Sequence, residues 1–283
     1  MRYLNLGCGS RCHPTWTNID IAAHGPGVIA HDLSKGIPLP DSSCDVVYHS
    51  NLLEHMRRAD AHPFMRECYR VLRAGGVLRV GVPDLEQISN LYLKKLNATF
   101  SGDVQAANDY EWMMLELYDQ TVREGSGGEM LNWLRQDPLP NEAFVYERIG
   151  EEGRDLVRIL RQSASEPPQQ TRRRAIEMLS HSVRSLSASL RRRLVALLLG
   201  PADLRALEIG RFRLAGEVHH WMYDRYSLAK LMRAAGFREP IEQTATRSQI
   251  PGWSDFHLDT LPSGAVIKRD SFFMEAIKPV EAS

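Results

Sequence analysis

The chain has 283 residues, 43% of them hydrophobic, which suffices for one large domain or for a domain with a substantial insertion. Its 35 basic and 35 acidic residues cancel, so no net charge favours a nucleic-acid partner. The longest apolar run, Leu194–Leu199, is far below the ~20 residues that span a bilayer. No secretory-type segment precedes the first predicted strand, and we expect a soluble, cytoplasmic protein.

Short apolar runs separated by turns fill the first 84 residues. Continuous runs of this kind, with a helical pattern between the last two, predict a parallel sheet buried on both faces. The predicted helix covers Asn51–Leu72, with an interruption at His62-Pro63 and an end at Ala74-Gly75-Gly76. The predicted strands are Tyr3–Gly7, Thr17–Ile21, Val28–Ala30, Asp45–His49 and Val77–Val82.

Helical periodicity replaces the strand pattern from about residue 85 to residue 216. Strand and helix patterns then return: Ser227–Ala235 is predicted to be a helix capped by Ser227 and closed by Gly236. The predicted organisation is an α/β domain, 1–84 with 217–283, that carries a helical insertion over 85–216. The predicted insertion helices are Leu85–Phe100, Val104–Val122 and Glu142–Leu160, and the last two predicted strands are Ile241–Ala245 and Phe272–Ile277.

The stretch Thr171–Gly200 is predicted to be one amphipathic helix. Apolar residues recur at steps of three and four, and seven arginines stand against one acid, Glu177. Three roles are open for it: packing on an exposed sheet face, pairing in a homodimer, or contact with an anionic membrane surface.

The four cysteines lie in the first quarter of the chain without a CxxC pair, so reduced thiols are expected rather than a disulfide or a zinc site. No group of histidines and acids has the spacing of metal ligands along the sequence, and no metal is predicted. The cysteines are Cys8, Cys12, Cys44 and Cys68.

A glycine turn, Gly7-Cys8-Gly9, follows the first predicted strand. Cys12 occupies the place of the third glycine in the dinucleotide pattern, and the connections 8–16 and 22–27 are too short for crossover helices. Without a helix N-terminus a pyrophosphate would lose its main anchor, whereas a cationic ligand without phosphates would not. We therefore predict that the turn holds S-adenosylmethionine.

Acidic residues end the next two strands. Asp20 can accept the two ribose hydroxyls of a nucleoside, and Asp32-Leu33 can offer an acceptor and an apolar wall to adenine.

These stretches resemble class I S-adenosylmethionine-dependent methyltransferases, in particular the subgroup called methyltransferase type 11. The resemblance implies a Rossmann-like seven-stranded sheet of order 3-2-1-4-5-7-6 with strand seven antiparallel, and S-adenosylmethionine as cofactor. By position it also implies that His49 lies under the sulfonium. The motifs are LNLGCGS, TNIDI, HDLSKGIPLPDSSCDVVYHSNLLEHM, FMRECYRVLRAGGVLRVGVPDLE, GEVHHWMYDRYSLAKLMRAAGF and DSFFMEAIKP. The cofactor contacts predicted in all are Gly7, Cys8, Gly9, Asp20, Ile21, Asp32, Leu33 and His49.

Because the connections 8–16 and 22–27 are too short for crossover helices, one face of the sheet should lack helices. We expect the insertion or a second subunit to cover that face.

Three histidines are candidates for a general base. His55 follows the fourth strand, and His219 and His220 end the predicted insertion, where the chain should pass over the carboxyl ends of the strands. The Asn-Pro-Pro-Tyr arrangement of base-amine methyltransferases is absent, which disfavours DNA. We therefore expect O-methylation of a small-molecule or carbohydrate-like acceptor such as a glycan. N- or C-methylation of a small metabolite and a catalytically silent partner-binding subunit are the alternatives.

Overall fold

The computed structural model describes residues 1–165 and 199–280. Its centre is one seven-stranded sheet of order β3-β2-β1-β4-β5-β7-β6. Strands β1 to β5 pair in parallel, and β7 is antiparallel to β5 and β6. This order and the antiparallel seventh strand confirm the predicted fold class. The strands are β1 Tyr3–Leu6, β2 Thr17–Asp20, β3 Val28–Ala30, β4 Cys44–Ser50, β5 Leu72–Pro83, β6 Arg238–Gln243 and β7 Ser271–Ile277.

The helices lie mostly where periodicity predicted them. A short helix, α4, was not predicted, and α1 ends at Val71 so that β5 runs straight through Gly75 and Gly76, where the helix was expected to stop. Pro63 lies inside α1 without interrupting it. The helices are α1 Arg58–Val71, α2 Leu85–Phe100, α3 Ala106–Val122, α4 Gly128–Leu134, α5 Glu142–Ser165, α6 199–213 and α7 Arg225–Ala234.

The start of α7 differs from the prediction. Its N-cap is Asp224, whose carboxylate accepts from the Ser227 amide at 2.7 Å, while the Asp224 amide donates to the Ser227 hydroxyl at 3.0 Å. This reciprocal capping box satisfies two amides at once, so the helix begins earlier than Ser227.

One face of the sheet packs against α1 and α7. The side chains that point to this face are apolar, and burying them supplies most of the core of the α/β part. They include Leu4, Leu6, Val47, Leu78 and Val80 from the strands, with Phe64, Met65, Leu228 and Met232 from the helices.

The other face is covered by the connection between β6 and β7, residues 244–270. The connections after β1 and β2 contain no helix, as their lengths predicted. Trp253 of the connection packs against Trp16 and Tyr48, and Ile250 and Leu258 complete this cluster. Among the described residues this connection packs on the face at Trp16 and Tyr48, and a contribution of the insertion or of a second subunit to the cover stays a prediction.

A buried ion network fastens this cover to the sheet. Arg79 of β5 is fully buried and binds Asp259 and Glu275, each at 2.8 Å. The Tyr48 hydroxyl donates to Asp259 at 2.5 Å, and the Arg79 guanidinium lies 4.3 Å from the centre of the Trp253 ring. Since each buried charge depends on the others, losing one partner would strand an uncompensated charge in the core.

Helices α2 to α5 form a second apolar cluster around Trp112, Met113 and Val145. Whether 85–216 is a separable insertion stays a prediction. Residues 166–198, most of the predicted basic helix, lie outside the described part of the chain. No described helix is long and apolar enough to cross a membrane.

Candidate active site

The glycine turn is built by two residues with positive φ, 62° at Gly7 and 50° at Gly9. The Gly7 amide donates to the Ile19 carbonyl at 2.8 Å, which ties the turn to β2. A Cβ on Gly7 would lie 2.8 Å from Leu52, whereas a Cβ on Gly9 would meet no atom within 4 Å. Gly7 is therefore required by packing, and Gly9 keeps its backbone open to whatever lies above it.

Asp20 joins this turn directly. Its Oδ2 accepts the Gly9 amide at 2.8 Å, and the residue is 9% exposed at the end of β2. The contacts of Oδ1 are longer: the Ala22 amide lies 3.4 Å away and the His24 ring nitrogen 3.9 Å away. One oxygen therefore fixes the turn while the other retains acceptor capacity, which suits a ligand with hydroxyl groups.

A cleft of about 260 Å³ opens beside the turn, and we call it the turn cleft. Gly7, Cys8 and Gly9 line one side of it, and Ser50 and Asn51 at the end of β4 line another. Burial is the main cause that raises the pKa of the Cys8 thiol to about 12, so Cys8 is a neutral wall of the cleft.

Asp32 and Leu33 lie at the start of the 3₁₀ helix Leu33–Lys35. The Asp32 carboxylate caps this turn by accepting from the Ser34 amide at 3.0 Å and its hydroxyl at 2.7 Å, and these bonds lower the pKa of Asp32. Ile21 is 74% exposed at the end of β2. Contact of these three residues with adenine stays a prediction.

His49 has its side chain on the α1 face of the sheet. The ring is fully buried, lies 5.2 Å from the Phe64 ring and has no hydrogen-bond partner. Burial lowers the pKa of His49 to about 3. In this arrangement only the backbone of His49 faces the edge where the cofactor was predicted, and its role stays a prediction.

The three candidate base histidines lie near one another, and the role of any of them as a base stays a prediction. The rings of His55 and His219 are 4.7 Å apart in an edge-to-face arrangement. Burial is the main cause that lowers the pKa of His55 to about 4 and that of His219 to about 2. His220 is half-buried and its amide donates to the Glu54 carbonyl at 2.7 Å.

A second cleft, of about 450 Å³, borders these histidines, and we call it the histidine cleft. His55 and His220 line it on one side, and Leu33, Met56 and Phe64 give it an apolar wall. Mixed lining and this volume are typical of small-molecule sites.

Glu54 is a site residue that the sequence reasoning did not single out. It is fully buried beside His55, and neither carboxylate oxygen has a hydrogen-bond partner. Burial raises the pKa of Glu54 to about 7. Its position next to a candidate histidine was the available signal. Lys268, which lines the turn cleft, had no signal in the sequence.

The strand order with an antiparallel seventh strand defines a class I methyltransferase fold. Residues 16–80 match the family described as methyltransferase domain. A probable S-adenosylmethionine-dependent methyltransferase of Mycolicibacterium smegmatis is 45% identical over 79 residues, which cover 28% of this chain and 30% of the relative. One from Mycobacterium tuberculosis is 48% identical over 48 residues, 17% of each chain. The matched part of the chain is thus similar to the methyltransferase-domain family and to S-adenosylmethionine-dependent methyltransferases, which confirms the resemblance.

Two solved structures align along most of the chain. A chain of the complex between the Haloferax volcanii Trm112 activator and a methyltransferase has a TM-score of 0.38 at 11% identity, covering 99% of this chain and 83% of that one. A methyltransferase of Thermotoga maritima has a TM-score of 0.39 at 13% identity, covering 98% and 82%. The fold class follows from the strand order. The matches to the curated relatives span under a third of each relative's length.

Proposed function

We propose that the protein is an S-adenosylmethionine-dependent methyltransferase. The observation that carries the proposal is the hydrogen bond of 2.8 Å from the Gly9 amide to Asp20. This bond holds the glycine turn and the acid at the end of β2 together as one binding site. No helix lies in the described stretch 7–16 between this turn and β2, so the usual helix N-terminus for a pyrophosphate does not follow the turn, which favours a cofactor without phosphates. The family match over 16–80 supports the same cofactor.

The residues present fit this cofactor. The open backbone of Gly9 would contact the methionine moiety, and Oδ1 of Asp20, which has only the long bond of 3.4 Å from the Ala22 amide, would accept ribose hydroxyls. When bound, S-adenosylmethionine supplies an electrophilic methyl group on sulfur. The chain has to hold an acceptor in line with that methyl group and to remove its proton.

We further propose an oxygen acceptor of small-molecule or carbohydrate-like character, held in the histidine cleft, with His220 as the base. His55 and His220 are both half-buried and both line the cleft, but burial lowers the pKa of His55 to about 4, which makes His55 the weaker base. His219 is more deeply buried, and its lowered pKa makes it a weak base. His220 would take the hydroxyl proton while the acceptor oxygen forms its bond to the methyl carbon and the bond from that carbon to sulfur breaks, with S-adenosylhomocysteine as the leaving group.

Calorimetry with S-adenosylhomocysteine tests the cofactor site. Replacing Asp20→Ala should weaken binding about 30- to 150-fold, since a charged acceptor for two hydroxyls is lost. The control is Asp255→Ala, an exposed acid on the covering connection, which should bind like the wild type. Equal dissociation constants for Asp20→Ala and the wild type would contradict the proposal.

A further inference from the structure

Three side chains that could ligate a metal meet behind the histidine cleft. Donor atoms of Glu54, His55 and His219 all lie within 4.8 Å of one another. Glu54 and His55 belong to the short turn after β4, and His219 comes from the segment that returns to the α/β part. The sequence spacing predicted no metal because the third residue of the group is far away along the chain.

The polar atoms of this cluster lack partners. Both oxygens of Glu54, Nδ1 of His55 and Nδ1 of His219 are buried without a hydrogen bond. Glu54 is 0% exposed and His219 is 7% exposed. Buried polar atoms are nearly always hydrogen-bonded, and each exception calls for an explanation such as an ion at the site. Four such atoms lie close enough together for one ion to contact all three side chains.

The backbone around the cluster is held in place. The amides of His220 and Trp221 both donate to the Glu54 carbonyl, at 2.7 and 3.2 Å, and the His219 amide donates to the Gln120 carbonyl at 2.9 Å. These bonds fix the distance between the two segments that carry the donors. A site whose ligands are held by their backbone needs little rearrangement to bind.

We propose that Glu54, His55 and His219 form a binding site for one divalent transition-metal ion, with Zn²⁺ as the best-fitting probe. Two imidazoles and one carboxylate are a ligand set that suits zinc and its first-row neighbours, whereas Mg²⁺ and Ca²⁺ prefer oxygen ligands throughout. Around Zn²⁺ such donors are about 3.4 Å apart, so the side chains must close by roughly 1.4 Å. Three protein ligands leave a coordination position open next to the histidine cleft.

Nearby cations are already paired. Lys268 and Arg123 are close enough to help lower the pKa of His219. Lys268 lies 3.2 Å from Glu152, and Arg123 binds Asp119 at 2.7 Å and Glu217 at 3.0 Å. Their salt-bridge partners are thus acids other than Glu54, and the charge of Lys268 acts on Glu54 only from beyond salt-bridge distance.

Metal titration of the full chain by calorimetry tests the site, without reference to methyl transfer. The wild type should bind one equivalent of Zn²⁺, and Mg²⁺ should bind far more weakly. Glu54→Gln keeps the shape of the side chain and removes its charge, and His219→Ala removes one donor. Each should weaken Zn²⁺ binding by ~100-fold or more, beyond the 10- to 100-fold typical of residues that only support ligands.

The matched control is His62→Ala, which removes an exposed histidine on α1. It should leave Zn²⁺ affinity unchanged, and an equal loss would mean surface binding and overturn the site. Thermal unfolding gives a second measurement, because a bound ion raises the midpoint of the wild type and not of Glu54→Gln. Absence of a Zn²⁺ site in the wild type, undiminished affinity in the folded Glu54→Gln variant, or equal affinity for Mg²⁺ would each overturn the proposal.

Discussion

His220 is the residue on which the chemistry of the proposed reaction depends most. It lies between the Glu54 carbonyl, which its amide contacts, and the histidine cleft, which its side chain lines. Replacing it by alanine should lower turnover by ~10²–10⁴, the usual contribution of a general base. Affinity for S-adenosylhomocysteine should stay within about twofold, since His220 does not line the turn cleft.

Steady-state turnover with a responsive acceptor and calorimetry on the same preparation check this prediction. His62→Ala is the matched control and should turn over like the wild type. Unaltered turnover of His220→Ala would mean that another group, or none, removes the proton.

At this scale the sequence identified the turn, its acid and the three histidines, because each lies at a strand end or in a local motif. It could not predict that Glu54 lies close to His219. These two residues are brought together by the path that the chain follows through residues 85–216. Nor could it show that the His49 ring packs against Phe64 of α1. The position of a residue at a strand end can be predicted from the sequence, but the neighbours of its side chain cannot.

At the scale of elements, Glu67 links α1 to the loop before β4. Its carboxylate accepts the Ile37 amide at 2.9 Å and the Arg70 guanidinium at 2.7 Å, and Arg70 also donates to the Ile37 carbonyl at 2.9 Å. The bonds to Arg70, followed by the Ile37 amide, lower the pKa of Glu67 below its usual 4.5. The carboxylate therefore contributes stability above pH 4.5, and this contribution is lost as the pH falls through the lowered pKa.

Glu67→Gln should accordingly reduce the free energy of unfolding at pH 7 by on the order of 1–3 kcal/mol, and the difference from the wild type should shrink towards pH 3. Urea unfolding at both values of pH measures it. Glu111→Gln, at an exposed position on α3, serves as the control and should show no such dependence. If the difference in the free energy of unfolding is as large at pH 3 as at pH 7, the effect of the variant comes from lost packing and not from the lost charge of the carboxylate.

Most elements were predicted to within about three residues where an apolar run or a clear 3.6-residue period was present, but α1 begins seven residues later than predicted and β5 five residues earlier. Helix α4 was not predicted because it has only seven residues, too few for a helical period to be recognised, and begins at the second of two adjacent glycines. The covering role of the connection 244–270 was not predicted, because an irregular segment has no hydrophobic periodicity to recognise. The contact of Trp253 with Tyr48 depends on tertiary packing alone.

At the scale of the whole molecule, cofactor binding should stabilise the fold. At 100 times its dissociation constant, S-adenosylhomocysteine should add about 2.7 kcal/mol, or roughly 5 °C or more in the unfolding midpoint. Gly9→Ala should abolish this shift, since its Cβ would enter the open space over the turn. Gly27→Ala is a matched control: its φ is 78°, no atom lies within 4 Å of its Cβ, and it precedes β3 at the opposite edge.

Differential scanning fluorimetry with and without the ligand measures both variants. Each should lose about 1–2 kcal/mol to the left-handed backbone, so the informative quantity is the shift on adding ligand. Equal shifts for Gly9→Ala and Gly27→Ala would place the cofactor elsewhere. The role of Thr171–Gly200 stays a prediction, because most of that stretch lies outside the described residues.

The covering connection also has a consequence for how the chain is made. Arg79 and its partner Asp259 are 180 residues apart, so a ribosome that adds about 5–20 residues per second exposes the uncovered sheet face for roughly 10–40 s. During that interval β1, β2, β4 and β5 have left the exit tunnel with Trp16 and Tyr48 unprotected and Arg79 unpaired. Newly made chains should therefore be far more exposed to aggregation and to chaperone capture than finished ones. Strand β7 inserts between β5 and β6 and supplies Glu275, the second acid for Arg79, so the fold closes only after β7 has emerged.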